Sequence, residues 1–438
     1  MHRRFDKLIL AAAAIIAFPA IPRTAFAQGP SAETFRLSSV KFTGLKRFPE
    51  TNVADASGLH SGMPIKVEDL SSAAGRLSGS GAFDKVDFHY VTQGGEVSAV
   101  FDMKESNKLV RCIFDNFVWF SAGQIQQTLE RRIPLFVGLA PQSGTLVGEI
   151  TNVLQGMIQS NSIAGTISVM PFSPAIGAPV SAMIFRIDGI SLPIKSLIFP
   201  GASTDLEKAL ASQSGELVGK DVSTSGMGEF VDTTLLPQCH RLGYLRAQCG
   251  QPQAGPINSA VPSAGGVAVA VSFPVNEGNV YHWNRASWTG NHLLSESDLA
   301  KLLSMHTGAV ANQDRIDVGF AAVKKAYASA GHIDFAARSK ITFDDAAKLV
   351  SYDVAITEGI RYSMGHLRFE GFNERAIKKL SMEWRLKTGE TFDGSYTEEF
   401  IHRVPQMLRG TGAAGHLLTT RLTRDTPSAT VDVYLSLN

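Results

Sequence analysis

Few residues of this chain stand at spacings that could do chemistry. The sequence holds no H-E-x-x-H metal motif, no Walker phosphate loop, no G-x-S-x-G nucleophile elbow and no G-x-G-x-x-G dinucleotide loop. Three histidines fall close together, but not at metal-ligand spacing: His282, His292 and His306. We therefore expect no catalytic residue, no cofactor and no metal, with these histidines at the surface or half-buried.

Adjacent carboxylates and a tryptophan pair are the next candidates. Asp344-Asp345 and Glu398-Glu399 are sequence neighbours, so in a strand or a helix their side chains point apart and cannot share a proton. Trp283 and Trp288 could stack on a sugar or line an interface. We expect the two indoles to pack at a junction between domains instead.

The three cysteines bear on redox chemistry. Cys239 falls late in a predicted helix, and Cys249 falls in the strand after Gly243-Tyr244, where the chain could reverse. We predict a Cys239–Cys249 disulfide, worth about 2–3 kcal/mol in the chain-entropy account. The alternative is three free, buried thiols. Cys112 is expected to be a buried apolar residue of a first strand.

The N-terminus indicates export. Residues 1–27 combine a basic start, a short apolar run over 8–18 and the cleavage site Ala25-Phe26-Ala27, as a secretory signal peptide does. The run is too short to span a bilayer, although a retained interfacial anchor is the alternative. No Cys follows the cleavage site, so we expect no lipoprotein anchor.

The rest of the chain carries no membrane signal. No later stretch supplies the roughly 20 apolar residues of a spanning helix, and the C-terminus lacks the alternating strands expected of a membrane barrel. The formal net charge of +1 argues against a nucleic-acid binder. We therefore expect a soluble protein that is periplasmic or peripheral to the outer membrane.

A repeated pattern organises the chain, whose 438 residues are too many for one core. Alternating strands that stop at glycine recur as Val40–Gly44, Arg285–Gly290 and His366–Gly371, with a weaker copy ending at Pro200-Gly201. Two helical stretches follow each copy, and a strand pair closes each module. A capping box at Ser295–Asp298 supports the first helix of one module.

The repeat gives module boundaries. Two modules also end on a shared signature, in which Glu277-Gly278 precedes Tyr281 and Glu358-Gly359 precedes Tyr362. A Pro- and Gly-rich stretch over residues 251–266 indicates a long exposed loop. The expected modules, called first to fifth below, span residues 35–108, 109–189, 190–280, 281–361 and 362–438.

This βααββ repeat resembles POTRA domains. The second module is the weakest match, because it lacks the glycine-ended first strand and keeps only Asp188-Gly189 of the closing signature. The resemblance implies an α+β fold of tandem modules, each a three-stranded mixed sheet covered by two helices. The arrangement is similar to the periplasmic arm of BamA-type outer-membrane assembly factors, but we expect no C-terminal barrel here.

The resemblance implies a non-enzymatic scaffold or chaperone-like module in outer-membrane protein assembly or export. The implied partner is an unfolded or extended polypeptide, or an outer-membrane barrel protein supplied in trans; we expect no nucleic acid and no small-molecule substrate. An exported cell-envelope hydrolase with an unrecognised site is the alternative.

An exposed edge strand is the expected binding site, because extended peptides bind such edges by adding a strand. The first candidate lies in the fifth module. The second is the first strand of the closing pair in the fourth module, which we expect to begin at Ile333. The first consists of Leu417, Leu418, Thr419, Thr420, Arg421, Leu422 and Thr423, and the second begins with Ile333, Asp334 and Phe335.

We predict that the mature protein begins at Gln28, because signal peptidase cuts after the small-x-small site that ends at Ala27. N-terminal sequencing of the protein from the cell envelope tests this. Recovery of Met1 in that fraction would contradict cleavage.

Overall fold

The computed structural model describes residues 34–257, 266–409 and 417–437. The expected signal peptide over residues 1–27 and the cleavage site before Gln28 lie outside these ranges. Within the same ranges, no helix combines the length and the apolar character needed to cross a bilayer.

The α+β fold class is confirmed, and the first module shows its plan. Its first and last long strands run parallel, and a third strand pairs antiparallel with the last in the sheet order β2-β1-β4-β3. Its elements are β1 (Phe35–Thr43), α1 (Glu50–Ser57), β2 (Pro64–Ile65), α2 (Val67–Gly79), β3 (Phe83–Gln93) and β4 (Glu96–Glu105).

The second module repeats the strand directions. Its first strand runs parallel to β8, and β7 pairs antiparallel with β8. Its elements are β5 (Val110–Phe114), α3 (Ala122–Arg132), β6 (Leu139–Ala140), α4 (Thr145–Ser160), β7 (Thr166–Phe172) and β8 (Ala182–Asp188).

The third module is the most irregular. Its strands are β9 (Ile194–Ile198), β10 (Gln248–Cys249), β11 (Gln253–Pro256), β12 (Val269–Ser272) and β13 (Val275–Asn276). Its helices are α5 (Thr204–Ala211), α6 (Thr224–Phe230) and α7 (Leu236–Arg241), with a 3₁₀ turn over Ser214–Glu216 and a π-helical turn over Val231–Leu235.

The expectation of a loop over residues 251–266 is wrong in part. Gln253–Pro256 form the strand β11 and pair antiparallel with Val269–Ser272, because this edge gives their backbone groups partners that an exposed loop would lack. Residues 258–265 of that stretch are not described.

The fourth and fifth modules have the plainest βααββ form. The fourth has sheet order β14-β16-β15 and the fifth β17-β19-β18. The fourth contains β14 (His282–Thr289), α8 (Glu296–Leu303), α9 (Gln313–Ser329), β15 (Ala336–Asp344) and β16 (Leu349–Thr357). The fifth contains β17 (Ser363–Glu370), α10 (Glu374–Glu383), α11 (Gly394–Met407), β18 (Leu418–Asp425) and β19 (Thr430–Leu437).

By its internal contacts the chain divides into two compact bodies. One comprises the chain up to Val110 together with Leu129–Ile150, and the other comprises Arg111–Thr128 together with the chain from Thr151. The module boundaries inferred from the repeat remain predictions.

The glycine that ends the first strand has a steric reason. In four modules its φ is 76°, 88°, 75° and 76°, a left-handed conformation that favours glycine. An added Cβ would collide with a carbonyl oxygen of the module's last strand in every case. The four glycines are Gly44, Gly201, Gly290 and Gly371, and the carbonyls they face belong to Met103, Val275, Ile356 and Leu437.

A carboxylate at the end of the last strand holds the loop behind that glycine. In the fourth module both His292 N and Leu293 N donate to Glu358 Oε1 at 2.7 Å. In the third, Ser203 N donates to Glu277 Oε1 at 2.6 Å. In the first, Arg47 N donates to Glu105 Oε1 at 2.7 Å. The Glu of the shared signature is therefore a loop anchor. The first module lacks the Glu-Gly signature in its sequence, because Ser106 follows Glu105 where the signature has glycine.

The second module holds its loop differently. Asn116, two residues past β5 and 1% exposed, accepts from Ile187 N at 2.8 Å and donates to Ile187 O at 2.9 Å. This buried amide couples the end of the first strand to β8 without the glycine and the glutamate. The weak sequence match of this module thus reflects a different way of holding the same corner.

We expect Gly319→Ala to destabilise the fourth module by about 1–3 kcal/mol through overpacking. Gly319 faces the end of α8, and an added Cβ would collide with Leu303 O and lie 2.8 Å from Leu303 Cδ1. Urea unfolding measures the change. The control is Gly156→Ala in α4, where nothing lies within 4 Å of an added Cβ and where alanine should raise helix stability by up to about 1 kcal/mol. Equal effects of the two substitutions would contradict the close approach.

We expect Glu358→Gln to weaken the loop anchor above pH 4.5 and not well below it. Partial burial raises the pKa of Glu358, but hydrogen bonds from Leu293 N, Tyr327 Oη and His292 N outweigh it and leave the pKa below its usual 4.5. A carboxyl with a lowered pKa contributes stability that is present above its unfolded-state pKa and is lost as pH falls through the folded-state pKa.

Hydrogen exchange at His292 and Leu293, followed by mass spectrometry, measures the anchor directly. Exchange should be faster in Glu358→Gln at neutral pH, and the difference should shrink as the pH falls below 4.5. Glu398→Gln, at an exposed position of α11, is the control. A difference that persisted unchanged in acid would rule out the carboxylate as its source.

Candidate functional site

The edge strand of the fourth module begins later than the sequence indicated. The prediction that this strand begins at Ile333 is wrong. β15 begins at Ala336, and Ile333–Phe335 form the turn before it. Tertiary partners hold this turn: Ile333 packs against a core cluster of the fifth module, and Phe335 stacks on Tyr327 at 4.4 Å. Ile333 therefore serves the packing between modules, while Phe335 packs beside α9.

Asp334 in that turn links two modules. Its Oδ2 accepts from Tyr362 Oη at 2.8 Å, and its Oδ1 pairs with Arg424 Nε at 3.0 Å. Tyr362 N also donates to Gly331 O at 2.9 Å. The Tyr of the shared signature therefore ties the end of α9 to the start of the fifth module.

The same junction recurs one module earlier. Tyr281 N donates to Gly243 O at 2.9 Å, and Tyr281 Oη donates to Asp345. Arg246 Nη1 lies 3.1 Å from both oxygens of Asp345. Because Tyr281 and Tyr362 are each 2% exposed, both junctions bury the phenol that makes them.

The open edge of β15 borders a groove. Among the described residues, β15 pairs on one side only, with β16, over Ala336 to Asp344. A cavity of about 410 Å³ lies between this strand and α9. Its lining residues are Phe320, Ala321, Val323, Lys324, Phe335, Ala336, Ala337 and Ser339.

The groove has an apolar floor and a single cationic side chain, Lys324, in its lining. The ring of Phe320 packs on two core aromatic side chains: its centroid lies 5.8 Å from that of Tyr352 and 6.0 Å from that of Trp288. The strand side carries small residues, so backbone groups of β15 are accessible from the groove. Arg338 and Lys340 are exposed on the opposite face of β15 from the groove. This arrangement suits an extended chain that brings apolar side chains inward and polar or acidic ones outward.

Within the part of the chain that the structure describes, the edge strand of the fifth module also pairs on one side only. β18 pairs with β19 from Leu418 to Asp425, so Leu417 precedes the strand and its side chain is 68% exposed. Thr419, Thr420 and Thr423 are exposed. Leu418 and Leu422 pack on the cores of the module. Whether this strand receives a partner remains a prediction.

The two arginines of this strand have partners of their own. The Arg421 guanidinium lies 4.6 Å from the centre of the Tyr434 ring, and Arg424 pairs with Asp334 across the junction. Arg424 therefore joins the fifth module to the fourth.

The tryptophan pair lies in a core, and the expected junction role is wrong. Trp283 and Trp288 are 3% and 5% exposed within the core of the fourth module. Trp283 stacks on Tyr352 at 5.1 Å. A register shift between Trp283 and Arg285 brings both indoles to the same face of β14, which an uninterrupted alternation would not do.

The cysteines are free thiols in the structure, so the expected Cys239–Cys249 bridge is not formed there. Cys239 is fully buried in the third module's core and Cys249 packs against the same cluster. Burial raises the pKa of Cys239 to about 12 and raises that of Cys249. Because the thiolate is the attacking form, these raised pKa values slow thiol–disulfide exchange at neutral pH. Cys112, in β5, has its pKa raised to about 12 by burial.

The other chemical candidates have structural roles. Asp344 accepts from Ala347 N at 2.8 Å in the β15–β16 turn, while Asp345 joins the junction described above. Glu399 pairs with Lys325 across the fourth and fifth modules at 2.7 Å. Across the described ranges, no group of three or more His, Cys, Asp or Glu side chains could hold a metal ion.

Phe320 and Lys324, which line the helix side of the groove, belong to no motif in the sequence. The detectable signal was the pair of small residues Ala336-Ala337 at the start of an exposed edge strand.

One segment of the chain matches a known family model, and part of the chain is similar to a protein from another organism. Residues 281–359 match the family model "POTRA: Surface antigen variable number repeat". A Treponema pallidum (strain Nichols) protein, provisionally named an outer membrane protein assembly factor, is 25% identical over 127 residues, which are 29% of this chain. The match spans 15% of that relative's length.

Solved structures are also similar. POTRA domains 3–5 of Haemophilus influenzae BamA align with 21% identity and a TM-score of 0.42, covering 56% of this chain and 96% of that one. POTRA domains 1–3 of Omp85 from Anabaena align with 15% identity and a TM-score of 0.27, covering 56% and 95%. Residues 281–359 thus match the POTRA family model, and over 127 residues the chain is similar to a protein named for outer-membrane protein assembly.

Proposed function

We propose that this protein is a periplasmic, non-enzymatic scaffold that holds extended polypeptides during outer-membrane protein assembly. The observation that carries the proposal is the open edge of β15 beside an apolar groove of about 410 Å³. A strand added there gains main-chain hydrogen bonds from β15 and side-chain contacts from α9.

The groove selects by pattern rather than by sequence. Successive side chains of an added strand point to opposite faces of the sheet. Those on the helix side meet Phe320 and Val323, which favour apolar side chains. Those on the other side meet the solvent near Arg338 and Lys340. Alternating apolar and polar segments fit this arrangement, and outer-membrane strands have that alternation.

The relatives support the setting of this activity. The POTRA match over residues 281–359 covers the module that carries the groove, and the Treponema relative is named for outer-membrane assembly. An outer-membrane barrel protein supplied in trans is the alternative partner, with β18 as the alternative edge.

We expect Ala337→Trp to abolish peptide binding and Arg338→Trp to leave it largely intact. Ala337 lines the groove, so an indole there fills the space that an added strand needs. Arg338 is the adjacent residue of β15 and its side chain points to the opposite face of the sheet. Fluorescence anisotropy measures binding, with a labelled peptide of about ten alternating aromatic and polar residues as the probe.

A second variant separates the two edges. Thr420→Pro removes a backbone donor from β18 and should not change binding at the groove. Circular dichroism checks that every variant is folded. If Ala337→Trp binds the peptide as the unchanged chain does, the groove is not the site; if Thr420→Pro alone loses binding, the site is β18.

A further inference from the structure

The hairpin that joins β7 to β8 presents an apolar tip to solvent. Three large apolar side chains stand out along it: Met170 is 48% exposed, Phe172 38% and Ile176 108%. The residues from Met170 to Gly177 are all exposed. Most surface apolar residues occur singly, so a cluster on one turn calls for a functional reason.

The hairpin lies in an uncharged stretch of the chain. From residue 150 to residue 185 the sequence has no Asp, Glu, Lys, Arg or His. Charged side chains make up 18% of the whole chain, so this stretch departs strongly from its average. A tip without ionic groups would place no charge in a medium of low dielectric constant.

The backbone of the tip supplies its own hydrogen bonds. Ser181 N donates to Phe172 O at 2.8 Å, and Ala178 N donates to Ala175 O at 3.0 Å. Pro171, Pro174 and Pro179 have no N–H to leave unpaired. Removal from water therefore costs this turn less than it costs an ordinary polar loop.

The same features disfavour a protein strand as occupant. β7 is an edge strand, but Pro171 within it lacks a backbone donor and blocks regular strand addition. The tip is convex, with Ile176 fully projecting, whereas a groove is what captures an extended peptide. A lipid interface accepts a projecting apolar side chain without a matching pocket.

We propose that the tip of the β7–β8 hairpin, from Met170 to Ile176, inserts into the interface of a lipid bilayer. The contact is apolar and does not depend on anionic lipid, because no charge lies near the tip in sequence. It is independent of the groove beside β15 and places the scaffold at a membrane surface.

Vesicles of phosphatidylcholine test the insertion, using the purified chain from Gln28 onward. The Ile176→Trp variant should show a blue shift of tryptophan emission on adding vesicles, in the difference spectrum against the unchanged chain. Met382→Trp, at an apolar position 78% exposed on α10, is the matched control and should show none.

Flotation of the chain with the same vesicles measures affinity. Phe172→Asp and Ile176→Asp should each lower the partition coefficient about tenfold, since each replaces a large apolar side chain that would enter the bilayer with a charged one. Met382→Asp should leave it unchanged, and so should added salt.

Three results would overturn the proposal. The first is the absence of a blue shift at Ile176→Trp. The second is binding that requires phosphatidylglycerol and falls with salt, since a basic surface elsewhere would then carry it. The third is a blue shift without vesicles that grows with protein concentration, which would assign the tip to contact between copies of the chain.

Discussion

The modules depend on one corner, where the first strand ends against the last strand. At Gly44, Gly201, Gly290 and Gly371 the chain turns with positive φ while pressed against a carbonyl of the last strand. Any side chain would separate the two strands that form the parallel centre of the sheet. The N–H groups of the loop behind the glycine have no backbone partner in a strand or a helix. In three modules a glutamate at the end of the last strand accepts hydrogen bonds from them. Steric closeness and this hydrogen bond together fix where the first helix begins.

The same corner can also be held by different residues. The second module keeps the parallel strand pair, yet Asn116 holds it through two hydrogen bonds to Ile187. One buried amide there satisfies both a donor and an acceptor of the adjacent strand. A motif defined by glycine and glutamate finds this module only weakly, although its strand directions match those of its neighbours.

The junctions leave the candidate binding surface free. Between the third and fourth modules, and between the fourth and fifth, a buried Tyr backbone N–H reaches the glycine that follows the preceding helix. The Tyr hydroxyl then meets a carboxylate that also pairs with an arginine. These contacts use the turn at Ile333–Phe335 and the β15–β16 loop, and they leave the outer edge of β15 unpaired beside α9.

The sequence alone determined the repeat, the α+β class and most element positions. Glycine, capping and alternation signals act over a few residues, so the strand ends at Gly44, Gly290 and Gly371 and the Ser295 cap are predictable from the sequence. Tertiary structure decided what depends on distant partners. The register shift in β14 placed both tryptophans in the core, Ile333 and Asp334 became part of a junction between modules, and the groove formed where α9 lies beside β15. Such outcomes depend on contacts between residues far apart in sequence, which local patterns do not encode.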